Sequence, residues 1–123
     1  MGDMIKARQP QVRTVAVGEE TFPGVHVMLS PGHSAGHTAY VINAGRQRVI
    51  AFGDTFHSPV QITHPLWEAT ADHDRGQSAS LRRSLVTELA GSDTIGFCVH
   101  FADVVFGRVH IDGGRPAWHP VDA

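Results

Sequence analysis

The sequence has little cysteine, little net charge and no long apolar run, and each shortage excludes a class of protein. With one Cys in 123 residues, the chain cannot contain an internal disulfide. Ten Lys and Arg against twelve Asp and Glu give a net charge of −2, so no field attracts nucleic acid or an anionic membrane. No apolar run approaches the ~20 residues of a membrane helix, and the first residues lack the apolar core of a signal peptide. We therefore predict a soluble, cytoplasmic protein with no nucleic acid or membrane as partner.

Histidine is the residue type in excess. The chain carries nine His, which favours metal binding or acid–base chemistry, although His also occupies half-buried sheet positions without a function. Hydrophobic residues make up 41% and charged residues 18%, as in an ordinary globular protein. A chain of this length forms one domain, so we predict a single domain over residues 1–123. Cys98 lies in an apolar run and is predicted to be a small buried hydrophobic residue.

Short apolar runs separated by turn residues predict a sheet. The runs at residues 37–43 and 48–52 flank Ala44-Gly45, which is typical of a β-hairpin. The tail FGRVHIDGGRPAWHPV has a turn at Asp112-Gly113-Gly114 and predicts a second hairpin. Residues 1–11 are polar without periodicity and predict a loose arm. Further strands are predicted at residues 11–17, 25–29 and 95–99.

One amphipathic helix is predicted between these strands. Asp74 and Gln77 fit a capping box, and Gly91 fits the end of the helix. Apolar residues recur at helical spacing in between, at Leu81, Leu85, Val86 and Leu89. Charged residues are predicted on the outer, solvated face, namely Arg75, Arg82, Arg83 and Glu88. The fold class that follows is α+β, a mixed sheet of about six or seven strands with one main helix against one face.

Three predicted strands end in a residue that suits a metal. His33 lies in the turn SPGHSAGH after residues 25–29, Asp54 follows residues 48–52, and His100 follows residues 95–99. Functional side chains concentrate in such turns at strand ends. If the three ends lie on one edge of one sheet, the three side chains converge.

These segments resemble a known family. The resemblance rests on SPGHSAGHTAYV, then AFGD, then FCVHF, and on the closing tail. Residues 22–121 resemble the C-terminal half of the metallo-β-lactamase superfamily, in its methyl parathion hydrolase and lactonase branch. The resemblance implies one half of an αββα sandwich. It also implies that His33 is a ligand of one metal, that Asp54 bridges two metals and that His100 is a ligand of the second. Zn or Mn would then support hydrolysis of a lactone or a phosphoester by a metal-bound hydroxide.

One element of the family pattern is absent. The HxHxDH motif, which supplies four ligands and the acid that handles the water, does not occur in the sequence, and the nearest fragment is Asp72-His73. We therefore expect weakly bound or absent metal and little activity from this chain alone. Three hypotheses remain: a hydrolase completed by residues outside this chain, a non-catalytic half-domain that acts as a binding or assembly module, and a truncated product.

Other residues near these turns are candidates for supporting roles. His37 begins a strand and is predicted to orient other groups or to stabilise the turn. The loop TFHSPVQITHPLW, in which Pro59 and Pro65 prevent a long helix, offers His57, His64 and Trp67 for substrate contact. Surface positions for both His are an equal alternative.

The sheet predicts a partner. Several strands are apolar enough to be buried on both faces, yet one long helix covers only part of one face. We predict a two-fold homodimer through the uncovered face, since large exposed apolar patches are unusual on monomers. A missing N-terminal half, or a fold-back of residues 1–11 or 59–71, are the alternative covers.

Overall fold

Seven strands form one sheet in which neighbours in the chain are neighbours in space, as a computed structural model covering residues 2–121 describes. Six pairs of strands give five antiparallel contacts and one parallel contact, between the fourth strand and the fifth. In chain order the strands are β1 Glu20–Phe22, β2 Val25–Leu29, β3 Thr38–Ala44, β4 Gln47–Ala51, β5 Thr94–Phe97, β6 Phe106–Asp112 and β7 Arg115–Pro120.

The helices are α1 Gly2–Arg8, α2 Val60–Thr63 and α3 Arg75–Leu89. The Asp74 side chain caps α3 by accepting a hydrogen bond from the Gln77 backbone N–H, which satisfies one free donor of the first turn. α3 lies in the connection between β4 and β5, and such a crossover is what allows those two strands to be parallel. Among residues 2–121 no helix is long and apolar enough to span a bilayer.

The core lies between one face of the sheet and α3. Apolar side chains from alternate positions of the strands meet Leu85, Val86 and Leu89 of the helix. The loops add an aromatic group in which Phe52 lies edge-on against its neighbours. The buried residues of this cluster are Ala39, Ile50, Phe52, Phe56, Ile62, Leu85, Val86, Leu89, Cys98, Phe101 and Val109.

The opposite face of the sheet carries no helix within the described residues. Cross-strand partners share a face, and the pairings Val27 with Tyr40 and Ile42 with Val49 place these side chains away from Ala39 and Ile50. On this face Leu29, Tyr40 and Ile42 are among the exposed large apolar residues, whereas Val27 is buried. This apolar surface, which we call the open face, extends across β2, β3 and β4.

Most of the predicted elements are confirmed. The sheet is mixed, with seven strands and one main helix against one face, as predicted. Residues 25–29 form β2 as predicted, both hairpins form, and the helix begins directly after the predicted cap. The loop with Pro59 and Pro65 holds only the single turn α2. Cys98 is buried, as predicted.

The strand predicted at residues 11–17 is wrong. These residues are exposed and lie outside the sheet, and the first strand is β1, at Glu20–Phe22. Of the three valines that suggested a strand, only Val15 and Val17 have the two-residue spacing of one strand face, and Val12 does not share it. Val27 instead accepts a backbone hydrogen bond from the Gly18 N–H and donates one to the Glu19 carbonyl oxygen.

Three further predictions need correction. The strand predicted through Val99 ends at Phe97, and Val99 is exposed. Gly2–Arg8 forms a short helix with no buried residue, where a loose arm was predicted, and Met1 lies outside the described residues. Arg82, predicted on the solvated face of α3, is completely buried. It is buried because it lies on the same face of α3 as Ser78, Leu85 and Leu89.

Candidate metal centre

Three strands of one direction bring their ends to one edge of the sheet. β2 and β4 each pair antiparallel with β3, and β5 pairs parallel with β4, so β2, β4 and β5 run the same way. Their carboxyl ends therefore lie together, and each is followed by a turn that holds one of the candidate residues. The turn after β2 holds His33, the turn after β4 holds Asp54, and the turn after β5 holds His100.

Asp54 lies at the centre of a group of imidazoles. Its Oδ2 is 3.6 Å from His33 Nε2, and its Oδ1 forms a hydrogen bond with His100 Nε2. The ring of His57 lies between the other two rings, with its centroid 5.2 Å from that of His33 and 5.1 Å from that of His100. The structure thus brings His33, Asp54 and His100 together and adds His57 to them.

The donor set fits a divalent cation. His33, Asp54 and His57 each offer a ligand atom, and these atoms lie within 4.8 Å of one another. The Nδ1 atom of His57 is buried and has no hydrogen-bond partner among residues 2–121, which is costly unless a further group completes its bonding. Two imidazoles and a carboxylate are ligands that Zn accepts, and Mn accepts the same types.

The protonation of the cluster suits a cation. A hydrogen bond from His100 lowers the pKa of Asp54, and the nearby His33 and His57 also lower it, against a smaller effect of burial. Burial lowers the pKa of His57, and the charges of His100 and His33 lower it further. A carboxylate and a neutral imidazole are the forms that bind metal.

His37 holds the backbone of the site in place. Its Nδ1 lies 2.9 Å from the carbonyl oxygen of Ser30, and its Nε2 accepts a hydrogen bond from the Asp54 backbone N–H at 3.0 Å. Gly53 has a φ of +50°, and a Cβ there would lie 3.0 Å from His37 Nε2. Because both nitrogens of His37 are engaged, its contacts tie the turn after β2 to the turn after β4.

Two buried residues that the sequence analysis missed lie behind His33. Asp72 Oδ1 is 3.3 Å from His33 Nδ1, and Asp72 Oδ2 accepts a hydrogen bond from Arg82 Nη1 at 3.0 Å. Burial raises the pKa of Asp72, but the hydrogen bonds from Arg82 and His33 outweigh it, so the pKa lies below its usual value. Helical spacing could have identified Arg82, because it shares a face with the buried residues Ser78, Leu85, Val86 and Leu89.

An open cavity of about 410 Å³ adjoins the cluster at His57. Its walls include the apolar side chains of Val60 and Trp67. His64 stacks on Trp67 with ring centroids 4.2 Å apart, and it lines a separate groove with Arg83. Of the loop residues proposed for substrate contact, His57 and Trp67 therefore border this cavity and His64 does not.

Solved structures of longer proteins share this fold. AidC, a dizinc quorum-quenching lactonase solved in complex with a product, matches 98% of this chain at 23% identity with a TM-score of 0.88. AbOPH, a hydrolase in the beta-lactamase superfamily, matches 97% of this chain at 23% identity with a TM-score of 0.85. An N-acyl homoserine lactone hydrolase with N-hexanoyl-L-homoserine bound at its catalytic metal centre matches 74% at 22% identity with a TM-score of 0.61.

These likenesses establish the fold. This chain spans 42% of the length of AidC and of AbOPH, and 36% of the lactone hydrolase. No protein-family model matches the chain, and no curated protein sequence matches it significantly. The chain therefore shares the fold of somewhat less than half of each of these longer proteins.

Proposed function

We propose that this chain binds a divalent cation, Zn or Mn, through His33, Asp54 and His57, with His100 beside them, and that it is the metal-binding part of a hydrolase. The observation that carries the proposal is the convergence of three His side chains, His33, His57 and His100, on Asp54 at one sheet edge. A bound cation would lower the pKa of a water molecule and polarise a carbonyl or phosphoryl oxygen. His33, Asp54 and His57 would hold the cation, and His37 fixes the backbone of Asp54.

The cavity beside His57 supports a substrate with an apolar part. Val60 and Trp67 would contact that part, while the reacting group would lie towards His57 and Asp54. Two of the similar structures are described as a lactonase and a lactone hydrolase. We therefore propose a lactone as the substrate class, with a phosphoester as the alternative.

We further propose that the chain alone has little activity. The HxHxDH motif, which would complete a second metal position and provide an acid, is absent from the sequence. The second candidate function is a non-catalytic binding or assembly module, and the apolar open face favours it, because such a surface suits contact with another chain.

The test is a calorimetric titration of the metal-free protein with Zn²⁺, followed by assays of lactone and aryl phosphotriester turnover. We expect one Zn²⁺ per chain, lost in His33→Ala and retained in His110→Ala, which alters an exposed His on β6. Binding that is unchanged in His33→Ala would refute the site. Turnover near ~10 per second, a typical enzyme value, would refute the proposal that the chain alone is inactive.

A further inference from the structure

A charged pair lies buried behind the candidate ligand His33. The side chains of Asp72 and Arg82 are both 0% exposed, and Arg82 is the largest fully buried residue in the described part of the chain. Arg82 donates from Nε to the Pro65 carbonyl oxygen at 2.9 Å and from Nη1 to Asp72 Oδ2 at 3.0 Å. A charge in such a position is tolerated only when it is paired and hydrogen-bonded. Nη2 of Arg82 has no hydrogen-bond partner among residues 2–121, and the bonds from Nε and Nη1 hold the pair in one geometry.

The two oxygens of Asp72 face two different groups. Oδ2 accepts from Arg82, and Oδ1 lies 3.3 Å from His33 Nδ1. A guanidinium is always charged and only donates, and a carboxylate beside it stays ionised and only accepts. In this contact Nδ1 of His33 must therefore be the donor, which leaves Nε2 as the nitrogen available to a cation. That nitrogen is the one that faces Asp54, at 3.6 Å.

Backbone hydrogen bonds also hold the turn that carries His33 against the segment before α3. The N–H of His73 donates to the His33 carbonyl oxygen at 3.1 Å, and the N–H of Asp74 donates to the Gly32 carbonyl oxygen at 2.8 Å. A Cβ on Gly32 would lie 2.5 Å from the Ser78 backbone nitrogen, so the turn that carries His33 packs tightly on the start of α3. Main chain and side chain together therefore hold His33 against the segment that leads into α3.

We propose that Asp72 and Arg82 are positioning residues that hold His33 with its proton on Nδ1 and its Nε2 directed at the cation site. The proposal rests on the proposed metal-binding function for its purpose, but the position of the proton can be tested without metal. Outer carboxylates commonly orient metal-ligating imidazoles in this way, and their loss typically lowers metal affinity by ~10–100-fold. Here the carboxylate is itself held by a buried arginine from α3.

The direct test is the tautomer of His33 in metal-free protein. Two-bond ¹H–¹⁵N correlation spectra of ¹⁵N-labelled protein at about pH 8, where an ordinary imidazole is neutral, report which nitrogen carries the proton. His33→Gln identifies the signals. We expect the Nδ1–H form in the wild type. An Nε2–H form would overturn the proposal, whether or not Zn²⁺ binds.

Asp72→Asn is the variant that should invert the position of the proton on His33. The amide would turn its oxygen to the guanidinium of Arg82, so its N–H would face His33 Nδ1 and donate to it. The proton of His33 would then move to Nε2, the nitrogen that faces the cation site. We expect the inverted tautomer together with a loss of Zn²⁺ affinity of ~10–100-fold. An unchanged tautomer in the folded variant would contradict the proposal.

Two further variants serve as a milder change and as a control. Arg82→Lys retains the charge, so we expect the Nδ1–H form to persist and the affinity to fall less than in Asp72→Asn. Asp93→Asn removes an exposed carboxylate between α3 and β5 and should change neither quantity. If Asp72→Asn does not fold, the wild-type tautomer and Arg82→Lys decide the question. Absence of Zn²⁺ binding in a wild type with the Nδ1–H form would refute the metal function alone.

Discussion

His57 is the residue whose position in the structure differs most from what its sequence context suggests. It lies in a loop between prolines, where a surface position was an equal interpretation, yet its ring sits between those of His33 and His100. Its buried Nδ1 lacks a partner among residues 2–121, and burial lowers its pKa. These properties are those of a ligand or a substrate contact that is already in its neutral form.

His57 and His64 provide a matched pair of variants in one loop. We expect His57→Ala to weaken Zn²⁺ binding by more than the ~10–100-fold typical of an outer-shell residue, because it removes one of three clustered donors. His64 stacks on Trp67 away from the cluster, so His64→Ala should bind Zn²⁺ normally. Equal affinities of the two variants, measured by competition with a chromophoric chelator, would exclude His57 as a ligand.

The sequence identified the residues at strand ends and missed those that support them. His33, Asp54 and His100 each follow an apolar strand, a local pattern that is visible without coordinates. Asp72 and Arg82 were missed because a charged residue on a helix is usually solvated, and the partner that permits burial is ten residues away in a loop. Burial also raises the pKa of Cys98 to about 11, which agrees with its prediction as an apolar core residue.

Among the secondary-structure elements, the helix cap and the hairpin turns were predictable because they depend on residue types at one place in the chain. The cap at Asp74 and the turns at Gly45 and Gly113, both with positive φ, were evident from residue type. The packing of Trp118 of β7 across the sheet was not evident, because it depends on glycines in two other strands. A Cβ on Gly96 would lie 2.8 Å from the Trp118 ring, and one on Gly107 would overlap the same ring.

Gly107→Ala tests that packing. The added methyl would meet the indole of Trp118, whose Nε1 donates to the Val104 carbonyl oxygen at 2.9 Å and cannot move freely. We expect the free energy of unfolding in urea to fall by about 1–3 kcal/mol, the usual cost of overpacking. Gly36→Ala is the control, since no atom lies within 4 Å of its Cβ, and it should lose no stability. Equal stability of both variants would contradict the described packing.

For the whole molecule, the apolar open face is a surface on which another polypeptide is expected to pack. α3 and the core lie on one side of the sheet, while Leu29, Tyr40 and Ile42 remain exposed on the other. We propose that a second copy of the chain covers this face, because a single apolar patch can pack on itself about a two-fold axis. An interface of this kind buries on the order of 2,000 Å² or more in total. The solved structures of this fold are more than twice as long, so additional polypeptide is the competing cover.

Sedimentation equilibrium at micromolar concentration tests the dimer. We expect a mass near twice the 13.3 kDa of one chain. Ile42→Lys places a charge on the open face and should give a monomer. Ile111→Lys is the control. Ile111 is exposed and lies two residues after the core residue Val109 on β6, so its side chain is on the side of the sheet opposite the open face. The Ile111→Lys variant should remain a dimer. A wild-type monomer that binds no hydrophobic dye would exclude an uncovered face altogether.

Anomalous diffraction at the Zn absorption edge would locate the divalent cation that we propose between His33, Asp54 and His57. Crystals grown with one equivalent of Zn²⁺ should show one strong anomalous peak within about 2.0–2.2 Å of a nitrogen of each His and a carboxylate oxygen of Asp54. Asp72→Asn crystals should show that peak weakened. A peak only at the exposed stacked pair His110 and His119, or no peak at the sheet edge, would exclude the proposed cation site.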